Sequence, residues 1–111
     1  MFPRQHRLTG KGAHFVARRG QTVHGTFLRL KWTPAKGSFS RVTVVAGLVV
    51  DKRAVTRNRL KRQIREIVRP LLSSFSYPIN GMVFINKSAG GVVFVKLKAE
   101  LTSLFKRARI L

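Results

Sequence analysis

The sequence predicts an α+β or α/β fold, a two-layer sandwich whose elements run helix, strand, strand, helix, strand, helix, and we favour the α+β class of a compact two-layer α-β sandwich. Two patterns predict it: apolar residues alternate with polar ones in the first half of the chain, and they recur at helical spacing in two later stretches. A chain of 111 residues that is 44% hydrophobic can bury one modest core, although it has no cysteine for disulfides. We therefore expect residues 1–111 to form a single domain.

The amino-terminal elements are expected to be a basic arm and a short helix. Residues 1–9 hold basic side chains around Leu8 and predict an extended arm. Residues 10–20 predict a helix with Phe15 and Val16 as its apolar residues. Gly20 is a typical C-cap, and the two arginines before it suit the negative end of the helix dipole.

Residues 22–33 show the alternation of a strand. One set points to the core: Leu28, Leu30 and Trp32. The opposite set is Phe27, Arg29 and Lys31. An aromatic ring between two cations is typical of a surface on which single-stranded bases stack. The alternative is an ordinary exposed strand face with one phenylalanine.

Residues 41–50 predict a valine-rich strand, and its later part is apolar on both faces, which favours a central position in the sheet. After a basic helix described below, residues 73–81 predict a loop and residues 82–85 a short buried strand. The carboxyl-terminal helix is predicted by five apolar residues at helical spacing: Leu97, Leu101, Leu104, Phe105 and Ala108.

The most informative stretch is the basic helix, which begins in residues 52–66 and ends near Pro70. Its apolar face is formed by Leu60, Ile64, Ile67 and Leu71, with Val68 at the margin. Beside this face lies a dense row of cations whose repulsion at i,i+4 spacing only Glu66 relieves. Guanidinium groups donate five hydrogen bonds and accept none, so the row suits phosphate oxygens. A merely solvated helix, the alternative, usually mixes charges of both signs.

The whole composition also indicates a polyanionic partner. Lys and Arg total 23 against three acids, which gives a formal net charge of +20. Nucleic acid is the leading candidate. A membrane is not expected, because the longest apolar run, residues 42–50, is too short to span a bilayer and no signal peptide is evident. The lack of cysteine fits a reducing compartment, so we expect the cytoplasm.

The chain holds no recognisable catalytic set of its own. Its three acids are scattered, and Glu66 lies among arginines that would keep it ionised, which is wrong for a general acid. The histidines His6, His14 and His24 lack the spacing and carboxylate companions of a metal site. We therefore expect no catalytic residue, no metal ligand and a chemically inert protein.

The sequence resembles the protein subunit of bacterial ribonuclease P over essentially its whole length. The most specific part is Arg57-Asn58-Arg59-Leu60-Lys61-Arg62 with Arg65-Glu66, preceded by Lys52-Arg53-Ala54-Val55. Further matches, in the family's order, are Pro3-Arg4-Gln5-His6-Arg7-Leu8-Thr9, Phe15 with Arg18-Arg19-Gly20, Phe27-Leu28-Arg29, Ser40-Arg41 and Met82-Val83-Phe84-Ile85.

This resemblance implies a fold like a domain of ribosomal proteins, with a left-handed crossover that delivers the basic helix. It implies two partners, a catalytic RNA and precursor tRNA, whose 5′ leader the RNA removes with Mg²⁺, and it implies neither DNA nor membrane binding. The residues implied to bind the RNA subunit are Lys52, Arg53, Arg57, Asn58, Arg59, Lys61, Arg62 and Arg65. Those implied to bind the leader are Phe15, Arg18, Phe27, Arg29 and Lys31.

Some positions depart from the family pattern. Gly47, Leu48 and Val49 stand where a serine and two lysines are usual, Ala17 stands near a second aromatic position, and Gly81 replaces an acid. A structural RNA-binding protein of ribosomal type is the main alternative function. DNA compaction is another, although it would not need an aromatic residue on a strand face.

Overall fold

The computed structural model describes residues 7, 8 and 10–111, so most of the predicted arm over residues 1–9 lies outside the described residues. Of that arm, Arg7 forms an isolated parallel bridge with Val42, and Leu8 is buried. The Leu8 amide donates to the Val42 carbonyl oxygen at 3.4 Å. This segment therefore runs along the edge of the sheet.

The described residues contain three α-helices and a four-stranded mixed sheet, which confirms the α+β class. The elements in chain order are α1 (Gly10–Arg19), β1 (Gln21–His24), β2 (Leu28–Pro34), β3 (Arg41–Val45), α2 (Ala54–Leu71), β4 (Ile79–Ile85) and α3 (Phe94–Arg107). Short 3-10 turns follow α2 at Leu72–Ser74 and β4 at Lys87–Ala89.

The strands lie in the order β1-β2-β4-β3. The pairs β1–β2 and β2–β4 are antiparallel, whereas β3 and β4 are parallel neighbours. Since parallel neighbours need a crossover, α2 must pass over the sheet between β3 and β4. The left-handed sense of that crossover stays a prediction from the resemblance.

The single strand predicted over residues 22–33 is in fact a hairpin of β1 and β2. Its turn is closed by the Gly25 amide, which donates to the Leu28 carbonyl oxygen at 2.8 Å. A Cβ on Gly25 would lie 2.9 Å from the Leu28 carbonyl oxygen and 2.7 Å from Cδ of Glu100 in α3, so a side chain here would require the turn backbone to shift. The alternation of residues 28–32 is correct, since Leu28, Leu30 and Trp32 are buried.

The strand predicted over residues 41–50 is wrong in both length and position. It ends at Val45, and β3 is an edge strand of the described sheet rather than a central one. The chain turns at once towards α2: the Val50 amide donates to the Gly47 carbonyl oxygen at 3.1 Å, which leaves Leu48 and Val49 69% and 71% exposed. The apolar run therefore continues past the end of the strand into an exposed turn.

The loop predicted over residues 73–81 is shorter than expected, because β4 already begins at Ile79. Asn80 and Gly81 pair with β2 on one side and β3 on the other. Turn-forming residue types are therefore held extended by two neighbouring strands.

The main core lies between the sheet and the helices α2 and α3. From α2 it takes Leu60, Ile64, Ile67 and Val68, with Leu71 partly buried, which confirms the predicted apolar face. From α3 it takes four of the five predicted residues, Leu97, Leu101, Leu104 and Phe105; the fifth, Ala108, is the C-cap and is partly buried against the core. A second, smaller cluster of Leu8, Val16 and Met82 lies under α1. Since Met82 and Val83 alternate along β4, α1 covers the opposite face of the sheet from α2 and α3.

Candidate nucleic-acid interface

The basic helix α2 begins at an ion pair. Oδ1 of Asp51 accepts hydrogen bonds from the backbone amide of Arg53 at 2.8 Å and from Nε of Arg53 at 3.2 Å. Oδ2 of Asp51 accepts one from Nη2 of Arg53 at 3.2 Å. These side-chain hydrogen bonds lower the pKa of Asp51 and raise the pKa of Arg53. Arg53 is the N-cap of α2, and its side chain makes no capping hydrogen bond. The Asp51 carboxylate thus fixes the connection into the helix.

Arg57 holds the same connection from inside the helix. Its Nη1 donates to the carbonyl oxygens of Asp51 at 2.9 Å and Lys52 at 2.8 Å. A guanidinium has five donors, so two bonds of this kind leave others for a ligand. The predicted RNA-binding role of Arg57 is therefore combined with a structural one.

The other predicted RNA-binding residues of α2 line its exposed side. Asn58, Arg59 and Arg62 are exposed, while Lys61 and Arg65 are half-buried. Within the described part of the chain, Arg59, Lys61, Arg62 and Arg65 make no ion pair and no side-chain hydrogen bond. Glu66 approaches only Arg69, at 3.9 Å. The structure thus brings the predicted cations together as an unneutralised row, which we call the α2 row.

A second cationic surface lies where α1 crosses the sheet. Nζ of Lys31 donates to the Ala17 carbonyl oxygen of α1. Cζ of Arg29 lies 4.3 Å from the centre of the Phe84 ring, a cation–π contact. On α1, Phe15 is 51% exposed and Arg18 is exposed. We call these residues, Phe15, Arg18, Arg29, Lys31 and Phe84, the α1 groove.

Phe27 does not belong to the α1 groove, which corrects its grouping with Arg29 and Lys31. It precedes β2 in the hairpin turn and packs, partly buried, against the main core on the other face of the sheet. Its place is taken by Phe84, which stands directly opposite Arg29 in the β2–β4 register. Sequence reasoning missed Phe84 because all four residues 82–85 are apolar, so no alternation marks which face each occupies.

The acids are all engaged within the protein. Asp51 pairs with Arg53, Glu66 lies near Arg69, and both carboxylate oxygens of Glu100 accept backbone amides. Across residues 7–8 and 10–111, no group of three His, Asp or Glu side chains is placed to hold a metal ion. A search of the same residues finds no helix long and apolar enough to span a membrane.

An α+β domain with a net charge of +20 and an unneutralised row of cations on one helix has the features of a polyanion-binding protein. The Ribonuclease P family model matches residues 2–109 of the sequence. The chain therefore belongs to the ribonuclease P protein family, whose members are components of the ribonuclease P complex.

Individual relatives agree over the whole length. The ribonuclease P protein component of Pseudanabaena sp. (strain PCC 6903) is 33% identical over 113 residues, which cover 100% of this chain and 97% of that protein. That of Synechococcus sp. (strain JA-2-3B'a(2-13)) is 37% identical over 118 residues, covering 100% and 87%.

Solved structures share the fold. The RNase P protein of Staphylococcus aureus superposes with a TM-score of 0.85 at 19% identity, covering 95% of this chain and 96% of that one. The protein of Thermotoga maritima superposes with a TM-score of 0.78 at 23% identity, covering 87% and 91%. The predicted resemblance to this family is thus confirmed.

Proposed function

We propose that this chain is the subunit that binds the catalytic RNA of ribonuclease P and the 5′ leader of precursor tRNA, and so assists endonucleolytic removal of the leader to give mature tRNA 5′ ends. The observation that carries the proposal is the α2 row, four cations without a partner among the described residues. The family supplies the identity of the polyanion.

The α2 row is the proposed contact with the RNA subunit. The proposed contact also includes Asn58 and the residues at the start of the helix, so that its full set is Lys52, Arg53, Arg57, Asn58, Arg59, Lys61, Arg62 and Arg65. Apart from Arg57 and the paired Arg53, these side chains can bind phosphates without first breaking a described contact. Each phosphate neutralised releases counterions, so affinity should fall steeply with salt.

The α1 groove is the proposed site for the leader. Phe15 offers an exposed ring, and stacking of one base on such a ring contributes about 1–3 kcal/mol. Arg18, Arg29 and Lys31 supply positive charge for the strand's phosphates. Phe84 supports the site from below by holding the Arg29 guanidinium against its ring.

This assignment predicts different outcomes for two phenylalanines. Phe15→Ala should weaken binding of precursor tRNA by about 1–3 kcal/mol relative to mature tRNA, because only the precursor carries a leader. Phe27→Ala should lower stability and leave the precursor-to-mature affinity ratio unchanged, since Phe27 packs against the main core. Binding titrations of the holoenzyme with both tRNAs test this, and a selective loss in Phe27→Ala would contradict it.

The chemistry is assigned to the RNA. The residues of this chain do not fit a Mg²⁺ site, because all three carboxylates are occupied by arginine or backbone donors. We therefore propose that the Mg²⁺ needed for cleavage is bound by the RNA and that the protein alone is inert. The complex is expected in the cytoplasm, without a DNA or membrane partner.

Reconstitution tests the proposal directly. The protein is mixed with a bacterial ribonuclease P RNA at a Mg²⁺ concentration too low for the RNA alone, and leader removal from precursor tRNA is followed on gels. We expect the wild-type protein to restore cleavage and Arg59→Ala/Arg62→Ala to restore less of it. Stable RNA binding without any stimulation would instead favour a structural RNA-binding protein of ribosomal type. Protein without RNA should cleave nothing.

A further inference from the structure

The outer surface of α3 is a third cationic region that neither the α2 row nor the α1 groove uses. The buried side of this helix faces the main core, so the opposite side faces solvent. Lys98, Thr102 and Lys106 follow one another at i, i+4 and i+8 along it, and both lysines are exposed. The α3 helix packs on β1 and β2, α2 packs on β3, and the two helices also contact each other.

Two adjoining depressions mark this surface. One, of about 500 Å³, is lined by His24 and Thr26 of the hairpin together with α3 residues. The other, of about 450 Å³, is lined by Lys98, Lys106 and neighbouring α3 residues. Both share Ala99, Ser103 and Arg107, so they adjoin along α3, and we call the two together the trough. Leu104 also lines the first depression and Val95 the second.

One carboxylate, that of Glu100, lines the trough, and its oxygens are engaged by backbone amides. The one acid of α3 is Glu100, and its two oxygens accept the amides of Thr26 at 2.6 Å, Phe27 at 2.8 Å and Leu28 at 2.8 Å. The other two acids of the chain pair with Arg53 and Arg69, which belong to the other helix and its connection. Glu100 thus anchors the hairpin and leaves Lys98 and Lys106 without a carboxylate partner among the described residues.

Arg107 and the hydroxyl groups add directional donors. Nη2 of Arg107 donates to the His24 carbonyl oxygen, which fixes the guanidinium at the rim and leaves further donors. Thr102 uses its hydroxyl proton on the Lys98 carbonyl oxygen at 2.8 Å, whereas Ser103 makes no hydrogen bond with its side chain among those described. Lys98 and Lys106 lie about 12 Å apart along the helix axis, far enough to contact different phosphates.

We propose that this trough, formed by Lys98, Ser103, Lys106 and Arg107, binds the phosphodiester backbone of an RNA segment other than the one held by the α2 row. The inference rests on the proposed function for the identity of the polyanion. An anionic membrane surface fits less well, because interfacial helices insert an apolar face along their length. The apolar face of α3 is buried in the core, and its exposed apolar side chains, Val93, Phe94 and Val95, are confined to the amino-terminal end of the helix. The segment can belong to the RNA subunit or to precursor tRNA, which offer the same phosphate chemistry.

The test compares two double variants in the reconstituted holoenzyme. Lys98→Ala/Lys106→Ala removes both trough lysines. Lys36→Ala/Lys87→Ala, the matched control, removes two exposed lysines that do not line the trough, one after β2 and one in the 3-10 turn after β4. Affinities for the RNA subunit and for precursor and mature tRNA are measured across a salt series. The trough variant should lower the log–log salt slope by about 1.4–1.8 for one of these RNAs. The RNA that shows the loss identifies the source of the bound segment.

Equal affinities and slopes for the trough and control variants would overturn the inference. It would also be overturned if the trough lysines affected only binding to phosphatidylglycerol vesicles. Unfolding midpoints of both variants should match wild type, which separates a lost contact from a lost fold. If wild type binds the RNA subunit and Arg59→Ala/Arg62→Ala weakens that binding, the proposed function stands whether or not the trough variant has an effect.

Discussion

At the scale of single residues, Glu100 has the largest structural role among the acids. Its carboxylate accepts three successive backbone amides of the β1–β2 turn, an arrangement that ties the hairpin to α3. Each hydrogen bond to a charged group contributes about 1.5–3 kcal/mol to stability. When the carboxylate is removed, water solvates the backbone amides that donated to it. Glu100→Ala should therefore lower the free energy of unfolding by about 2–3 kcal/mol.

Glu66→Ala is the matched control for this prediction. Glu66 is an exposed helix carboxylate that lies 3.9 Å from Arg69, so its removal should change stability by less than about 0.5 kcal/mol. Denaturant midpoints of the two variants are compared in the same buffer. Similar midpoints would show that the hairpin does not depend on the Glu100 carboxylate.

The ion pair of Asp51 should make the free energy of unfolding depend on pH in the acidic range. Hydrogen bonds from Arg53 lower the pKa of Asp51 in the folded protein, whereas in the unfolded chain it titrates near its ordinary value of about 3.9. A depressed pKa stabilises the fold above the unfolded value, and the contribution is lost as pH falls through the folded value. Wild type should thus be more stable than Asp51→Asn at pH 6, and the difference should shrink by pH 3. A difference that stayed constant would contradict the ion pair.

Residue-level prediction succeeded where a side chain's environment follows from its neighbours in sequence. The exposed cations of α2 and the buried Leu28, Leu30 and Trp32 are such cases. It failed for Phe27 and Phe84, because their positions depend on a turn and on strand register, which are fixed by partners distant in sequence. The role of Glu100 was equally hidden, since its three donors lie more than 70 residues away.

At the scale of elements, α2 supports the crossover connection and carries the proposed RNA contact, and two arginines allow these roles to be tested separately. Arg57 donates to two carbonyl oxygens of the connection, while Arg59 is exposed and makes no described contact. Arg57→Ala should weaken RNA-subunit binding and lower stability by about 1 kcal/mol. Arg59→Ala should lower the salt slope by about 0.7–0.9 and leave stability unchanged.

Binding titrations over a salt series, paired with denaturant unfolding, distinguish the two arginines. Arg62→Ala serves as a second exposed control on the same helix. A stability loss in Arg59→Ala equal to that in Arg57→Ala would show that the Arg57 hydrogen bonds do not support the connection. An unchanged salt slope in Arg59→Ala would remove it from the α2 row.

Helical elements were predictable because the 3.6-residue period is local, and both the α2 and α3 faces are buried as expected. The strands were harder. The valine-rich run that contains β3 has no alternation to mark where the strand ends, and the exposed Leu48 and Val49 show that apolarity alone did not keep it in the sheet. Conversely, β4 recruits Asn80 and Gly81 because two neighbouring strands satisfy their backbone groups.

At the scale of the whole molecule, three cationic regions lie on the surface around the main core: the α2 row, the α1 groove and the α3 trough. Helices lie on both faces of the sheet, so the α1 groove opens on one face and the α2 row on the other. The sequence predicted the net charge and the concentration of cations on α2. How the cations are distributed over the two faces of the sheet could be seen only from the fold. A molecule charged on several sides is suited to a partner that surrounds it, as a folded RNA can.

This charge predicts that polyanions stabilise the fold. A formal charge of +20 is confined within a Cα radius of gyration of 12.9 Å. An unfolded chain of this length spreads over about 34 Å, so unfolding relieves self-repulsion. Sulfate should therefore raise Tm more than chloride at equal ionic strength, because it can bind between neighbouring cations as well as screen them. Ribonuclease P RNA at 100 times its Kd should add about 2.7 kcal/mol.

Thermal unfolding followed by circular dichroism tests both effects. Arg59→Ala/Arg62→Ala, which removes two cations of the α2 row, should gain less from sulfate than wild type and should start from an equal or higher Tm in low salt. Lys36→Ala/Lys87→Ala lowers the net charge equally without altering the row, so it should keep the full response to sulfate. If chloride and sulfate acted equally on all three proteins, the charge would act only through general screening and the α2 row would not be an anion site.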